Sequence, residues 1–135
     1  MRGNPPGPGG PSDNGPEPGR EDRRRDPAEL AVALHDRAVR LYGEGARGRA
    51  RRACRHALRL MERAVGPDAP DVAAVLNSLV AIAVDRGDYA EAEDLSGRSA
   101  RILEAAGGDD PEVRRLLVQT LGTLGSVLRA RGRYA

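Results

Sequence analysis

Lysine, phenylalanine and tryptophan are absent from this chain, and cysteine occurs once. One cysteine, Cys54, excludes an intrachain disulfide and a cysteine-based zinc site of the usual kind. Three tyrosines are the whole aromatic complement, so base-stacking platforms of the kind that hold single-stranded nucleic acid have little to build on. No stretch approaches the about 20 apolar residues of a membrane-spanning helix, and no apolar run follows a basic start. The expectation is therefore a cytoplasmic protein without a membrane partner. All 22 basic side chains are arginine and they nearly balance 20 carboxylates, leaving a net charge of +2. The chain as a whole is not strongly electrostatic, and any charged surface has to be local.

Residues 1–26 are rich in proline and glycine and contain Met1 as their only apolar side chain. Such a segment cannot bury enough surface to offset its ordering entropy, which predicts a disordered tail over 1–26 and a folded domain over 27–135. The Arg23-Arg24-Arg25 run in the tail is flanked by acids and reads as solvated linker.

The remainder is periodic. Pro27, Pro70 and Pro111 each follow an acidic stretch and open an apolar-periodic segment; they stand 43 and 41 residues apart. Gly45, Gly87 and Gly132 each close one, at spacings of 42 and 45. Proline at the first helical position and glycine just past the last one are the expected punctuation of helices. A period of this size marks an array of units that bury their apolar faces against one another. Leu30, Leu34, Ala38 and Leu41 trace the first helix. Ala50, Ala53, Cys54, Ala57, Leu58 and Met61 trace a second, from about Arg47 to Val65. Val72, Val75, Leu76, Leu79, Ile82 and Ala83 mark the third, Tyr89, Ala92, Leu95, Ile102 and Leu103 the fourth, and Val113, Leu116, Leu117, Leu121, Leu124, Val127 and Leu128 the fifth. No strand-length stretch alternates with period two, so the predicted class is all-α.

These residues resemble a known family. The segment from Ala57 to Leu79, ALRLMERAVGPDAPDVAAVLNSL, is similar to the inter-repeat segment of tetratricopeptide repeats of the kinesin light chain type. Gly87-Asp88-Tyr89-Ala90-Glu91-Ala92-Glu93 resembles the family's inter-helix turn, and Leu124-Gly125 with Gly132-Arg133-Tyr134-Ala135 resembles it one unit later. The resemblance spans about residues 28–135. It implies an α-solenoid of two helical hairpins and one further helix, with Ala50 and Ala92 where the helices of a hairpin cross. Arg37 departs from a usual leucine, and Cys54 and Ser96 from usual aromatics. The resemblance further implies that the first helices of the units line a groove for a peptide or a partner protein, with no cofactor. By helical phase the groove candidates are His35, Val39 and Tyr42; Asn77, Ala81 and Val84; and Gln119, Ser126 and Arg129. Asn77 matches an asparagine that grips a peptide backbone in family members, an amide being both donor and acceptor.

Two features invite other chemistry. His35-Asp36 and Cys54-Arg55-His56 place thiol and imidazole near one another in sequence, but positions two apart on a helix do not face each other, and Cys54 reads as a small core residue. The second helix carries seven arginines against Glu62 alone, with Arg52, Arg55, Arg59 and Arg63 at helical spacing, whereas the fourth is predominantly acidic. Complementarity between these two helices, or end-to-end stacking, accounts for the asymmetry. A nucleic-acid adaptor using the arginine helix, residues 47–63, is the weaker alternative. Another, drawn from the resemblance, is the regulatory end of a larger bacterial signalling protein with a nucleotide-driven or protease-like effector. Finally, Gly132-Arg133-Tyr134-Ala135 predicts a turn with no covering helix after it. Val113, Leu117, Leu121, Leu124 and Leu128 are then expected to lie uncovered, and the chain to self-associate or its fifth helix to fray.

Overall fold

A computed structural model describes residues 26–134. It contains five α-helices: α1 (Pro27–Gly43), α2 (Arg47–Val65), α3 (Pro70–Asp85), α4 (Tyr89–Ala106) and α5 (Pro111–Tyr134). No strand occurs among the described residues. Helix α1 packs on α2 and α3 on α4, forming two hairpins joined across α2 and α3; α5 lies against α4 and touches α3. The predicted tail falls outside the described residues except for Asp26, which belongs to the fold: its carboxylate accepts the N–H of Ala28 at 3.0 Å and caps α1.

The punctuation acts as its chemistry requires. Asp88 and Asp110 accept the N–H groups of Glu91 and Glu112 at 3.1 and 2.9 Å, satisfying donors that the first turn of a helix leaves unpaired. Gly45 and Gly87 take φ of 85° and 77°, a left-handed conformation that side chains disfavour. Around them the N–H of Ala46 reaches the carbonyl of Leu41 and that of Asp88 reaches Ala83, both at 2.9 Å, while Gly45 and Gly87 bond to Tyr42 and Val84. These are two copies of the Schellman ending.

The third glycine departs from the expectation. Helix α5 runs straight through Gly132 to Tyr134 and spans 24 residues, against 16 for α3. Helical hydrogen bonding satisfies the backbone there.

The core is built mainly from small and branched side chains. Val72, Val75, Leu76 and Leu103 are fully buried, as are Ala50 and Ala92, the alanines expected at the hairpin crossings. Burying a side chain of leucine size contributes about 1.5–3 kcal/mol, so α3, whose apolar residues face α2 and α4 alike, is the main anchor of the array. Ala31, not Leu30, begins the stripe of α1; Leu30 faces outward. A second, smaller cluster joins Val80, Ala83, Ala92 and Val127 and ties α5 to the second hairpin. Ser96 is buried where the family favours an aromatic, and its hydroxyl donates to the carbonyl of Ala92 at 2.7 Å.

The apolar side chains expected to lie uncovered on α5 divide. Val113 and Leu117 are half-buried against the main core, contrary to expectation, because α5 leans its first turns on that cluster. Leu121 and Leu128 are exposed, and Val118 more so, at 71 %.

Candidate functional site

The first helices of the successive units, α1, α3 and α5, enclose a hollow of about 360 Å³ on one face of the array. Val39 and Tyr42 of α1, Asn77 and Ala81 of α3 and Gln119 of α5 line it, together with Ala38, Ala74, Ser78, Ile82 and Leu116. Helical phase therefore brings five of the groove candidates to one place. The walls are largely apolar and carry a small number of polar atoms, in a volume near the lower end of the about 300–1,000 Å³ usual for ligand sites.

Asn77, Ser78 and Tyr42 at the hollow are each set by a bond across helices. Asn77 Nδ2 donates to Thr120 Oγ1 at 2.8 Å, and Thr120 Oγ1 donates to the carbonyl of Leu116 at 2.7 Å. A hydroxyl has one proton, so the threonine that gives it to Leu116 can only accept from Asn77, and the amide is fixed with its nitrogen toward α5. Its oxygen and second N–H make no bond to other described residues. His35 Nε2 lies 2.7 Å from Ser78 Oγ, beside the hollow rather than in its lining. Burial holds the imidazole below its ordinary pKa, against a weaker opposing pull from Asp36. A neutral ring in that position shares one proton with Ser78.

Tyr42 lines the hollow, and its hydroxyl donates to Asp85 Oδ2 at 2.5 Å. Arg47 Nε reaches the same oxygen at 3.2 Å, and its guanidinium carbon stands 5.8 Å from the centre of the Tyr42 ring. The Tyr42 hydroxyl first, and Arg47 after it, hold the Asp85 carboxyl below the usual range; the same hydrogen bond raises the Tyr42 phenol. Charge at this edge is thus internally balanced.

The other candidates lie elsewhere. Val84 packs against the smaller core cluster. Ser126 and Arg129 stand two or more turns beyond Gln119 on α5, exposed, and Arg129 Nη2 donates to Ser126 Oγ at 3.1 Å. Ser78, Thr120 and Asp85 escaped the sequence reading because their partners are 43 residues away, a separation that helical phase within one element does not reveal.

The arginine stripe of α2 is not a free surface throughout. Arg55 pairs with Glu91 of α4, which also receives Arg51 at 3.4 Å, and Arg98 of α4 reaches back to Glu62 of α2 at 2.7 Å. These three pairs are the complementarity that the opposite charges of the two helices suggest. Arg52, Arg59 and Arg63 remain exposed. Cys54 is buried, donates to the carbonyl of Val75 at 3.6 Å, and has its thiol pushed up to about 12 by burial, so it is no nucleophile at neutral pH. Among the described residues no group of three or more His, Cys, Asp or Glu side chains could hold a metal ion, and no helix is long and apolar enough to cross a membrane.

Comparison with known proteins agrees with the architecture. The model of the tetratricopeptide repeat family matches residues 29–105, which takes in nearly all of both hairpins and stops short of α5. No curated protein matches the sequence. Such repeats are protein-binding modules as a class, and both the period and the hairpins found here are theirs. The chain belongs to the tetratricopeptide repeat family.

Proposed function

We propose that the chain is a protein-interaction scaffold that takes an extended or helical segment of a partner along the face of α1, α3 and α5. The observation that carries this reading is the hollow itself: an apolar cavity walled by all three first helices, with the Asn77 amide already oriented at its side. An apolar side chain of the partner enters between Val39, Ala81 and Leu116. The Asn77 oxygen accepts a backbone N–H from the same segment, and Gln119 supplies a second amide one helix away. With Asp85 neutralised by Arg47, nothing in the lining selects for a charged anchor.

The reading as a nucleic-acid adaptor is less well supported. Arg55 and Arg51 are engaged with Glu91, and no aromatic side chain interleaves with the exposed arginines.

Selection of displayed peptides against the whole chain tests the proposal. Binders should share an apolar anchor, and Ala81→Arg, at an exposed position on the hollow's wall, should weaken them by about tenfold or more, 1.4 kcal/mol, while leaving helicity unchanged. Binders indifferent to Ala81→Arg would place recognition on another face.

A further inference from the structure

Helix α5 carries an uncovered seam that is complementary to itself. Arg114, Val118, Leu121, Gly125, Leu128 and Gly132 follow one another at intervals of four, three, four, three and four residues, the alternation of a coiled-coil stripe. Val118, Leu121 and Leu128 on this stripe are 71, 44 and 47 % exposed, and nothing but the side chain of Arg129 lies within 4 Å of where a Cβ on Gly125 would stand. The series of intervals reads the same in both directions. Two copies of α5 laid antiparallel about the middle of the stripe therefore set Leu121 of each against Gly125 of the other, Val118 against Leu128, and Arg114 against Gly132. Large faces small at two of the three kinds of layer, which is what lets helices approach closely.

Charge agrees with that direction. Leu128 borders a trough between α4 and α5 that also holds Glu93, Asp94 and Arg101. Arg131 bonds to Glu93, whereas Asp94 is exposed and makes no ion pair among the described residues. In the antiparallel arrangement Arg114 of one copy comes opposite Gly132 of the other, at the end of α5 near which Asp94 lies, although Arg129 also stands at that end. Residues 1–25 have Met1 as their only apolar side chain and so do not match the apolar stripe.

We propose that the occupant of this face is a second copy of the same chain, in a two-fold dimer through α5. The interface is isologous and does not use Val127, the residue of α5 in the small core cluster. One helix pair with three kinds of layer falls well short of a standard protein interface, so the association is weak and depends on concentration.

Sedimentation of the whole chain from micromolar to submillimolar concentration should show monomer passing to dimer. Val118→Glu, at a site too exposed to matter for folding, should keep it monomeric throughout. Direction is tested by cysteines, Cys54 being buried: an equimolar mixture of Leu121→Cys and Gly125→Cys should cross-link under oxidation far more than either variant alone. Three results overturn the proposal: a monomer across the whole range, which would assign the face to a different protein; a Val118→Glu chain that still dimerises; or each cysteine variant cross-linking best with itself, as a parallel pair requires.

Discussion

The amide nitrogen of Asn77 and the hydroxyl of Thr120 lie 2.8 Å apart, and Thr120 is 1 % exposed. A buried hydroxyl on α5 thereby decides which way an amide on α3 presents itself to the hollow. Replacing Thr120 with Val removes both the acceptor for Asn77 and the donor to Leu116 while keeping the shape. The expected cost is about 1 kcal/mol of stability, read from the urea midpoint, with weaker binding of any peptide that depends on Asn77. Thr120→Ser should restore the binding. A Val variant that binds as tightly as the parent would show that the amide's orientation is immaterial.

Ala92 is fully buried where α4 crosses α3. Ala92→Leu adds volume that no void accommodates and should destabilise the chain by about 1–3 kcal/mol. Chemical denaturation measures it directly, and an unshifted midpoint would mean that the crossing lies elsewhere.

Gly87 and Gly132 occupy the same place in the repeat but different backbone conformations, so one substitution should act with opposite signs. Gly87→Ala forces a side chain into φ of 77° and should cost about 1 kcal/mol. Gly132→Ala, within α5, should stabilise by up to about 0.5 kcal/mol through helix propensity. Thermal unfolding of both variants at low concentration separates them, and equal destabilisation would indicate a turn at Gly132 after all.

Tyr42 and Asp85 shift each other's titration, and the signs follow from which form is bonded. Asp85 is held below its ordinary range by Tyr42 and then Arg47, so its contribution is present above the unfolded carboxyl pKa and is lost as pH falls through the lower folded value. Tyr42 is raised, chiefly by Asp85; its contribution is present below the ordinary phenol pKa and disappears as pH climbs through the higher folded one. In an ultraviolet titration Tyr42 should ionise later than an ordinary tyrosine, and Asp85→Ala should bring it back. An unmoved Tyr42 transition in Asp85→Ala would place the cause of the shift outside this pair.

The thiol of Cys54 should resist aromatic disulfide reagents in the native state. Burial both hides it and keeps it protonated, with a pKa of about 12. Its rate of modification should rise with denaturant in parallel with loss of helicity. Rapid labelling of the folded chain would contradict the packing of α2 on α3.

Helix limits were legible because Pro27, Pro70, Pro111, Gly45 and Gly87 act locally, through φ and missing donors, and local effects leave their mark on neighbouring residues. Gly132 misled for the same reason. Its neighbours repeat those of Gly87, yet the backbone there continues in the right-handed helix to Tyr134, and the choice between two locally satisfied conformations is not written in those neighbours. That Val39, Tyr42, Asn77, Ala81 and Gln119 share one face was readable from helical phase. What Asn77, Tyr42 and His35 bond to was not. Thr120, Asp85 and Ser78 are chosen by the stagger between units, and that stagger is fixed by how Leu76 and its neighbours pack. The arginines of α2 were visible as an excess of charge, yet Glu91 as the shared partner of Arg51 and Arg55 emerges only when α4 lies beside α2.

The two faces of the array are fastened by different chemistry. Along α1, α3 and α5 the ties between units include bonds of neutral groups, His35 to Ser78 and Asn77 to Thr120. Along α2 and α4 they are ion pairs with partly exposed side chains, 20 to 40 % accessible, of the kind that added salt weakens. Raising salt therefore slackens one face and leaves the neutral ties of the other in place. The hairpins should then tilt slightly about the neutral ties as ionic strength rises. Small-angle scattering across a salt series would register that as a change in the chain's dimensions without loss of helix.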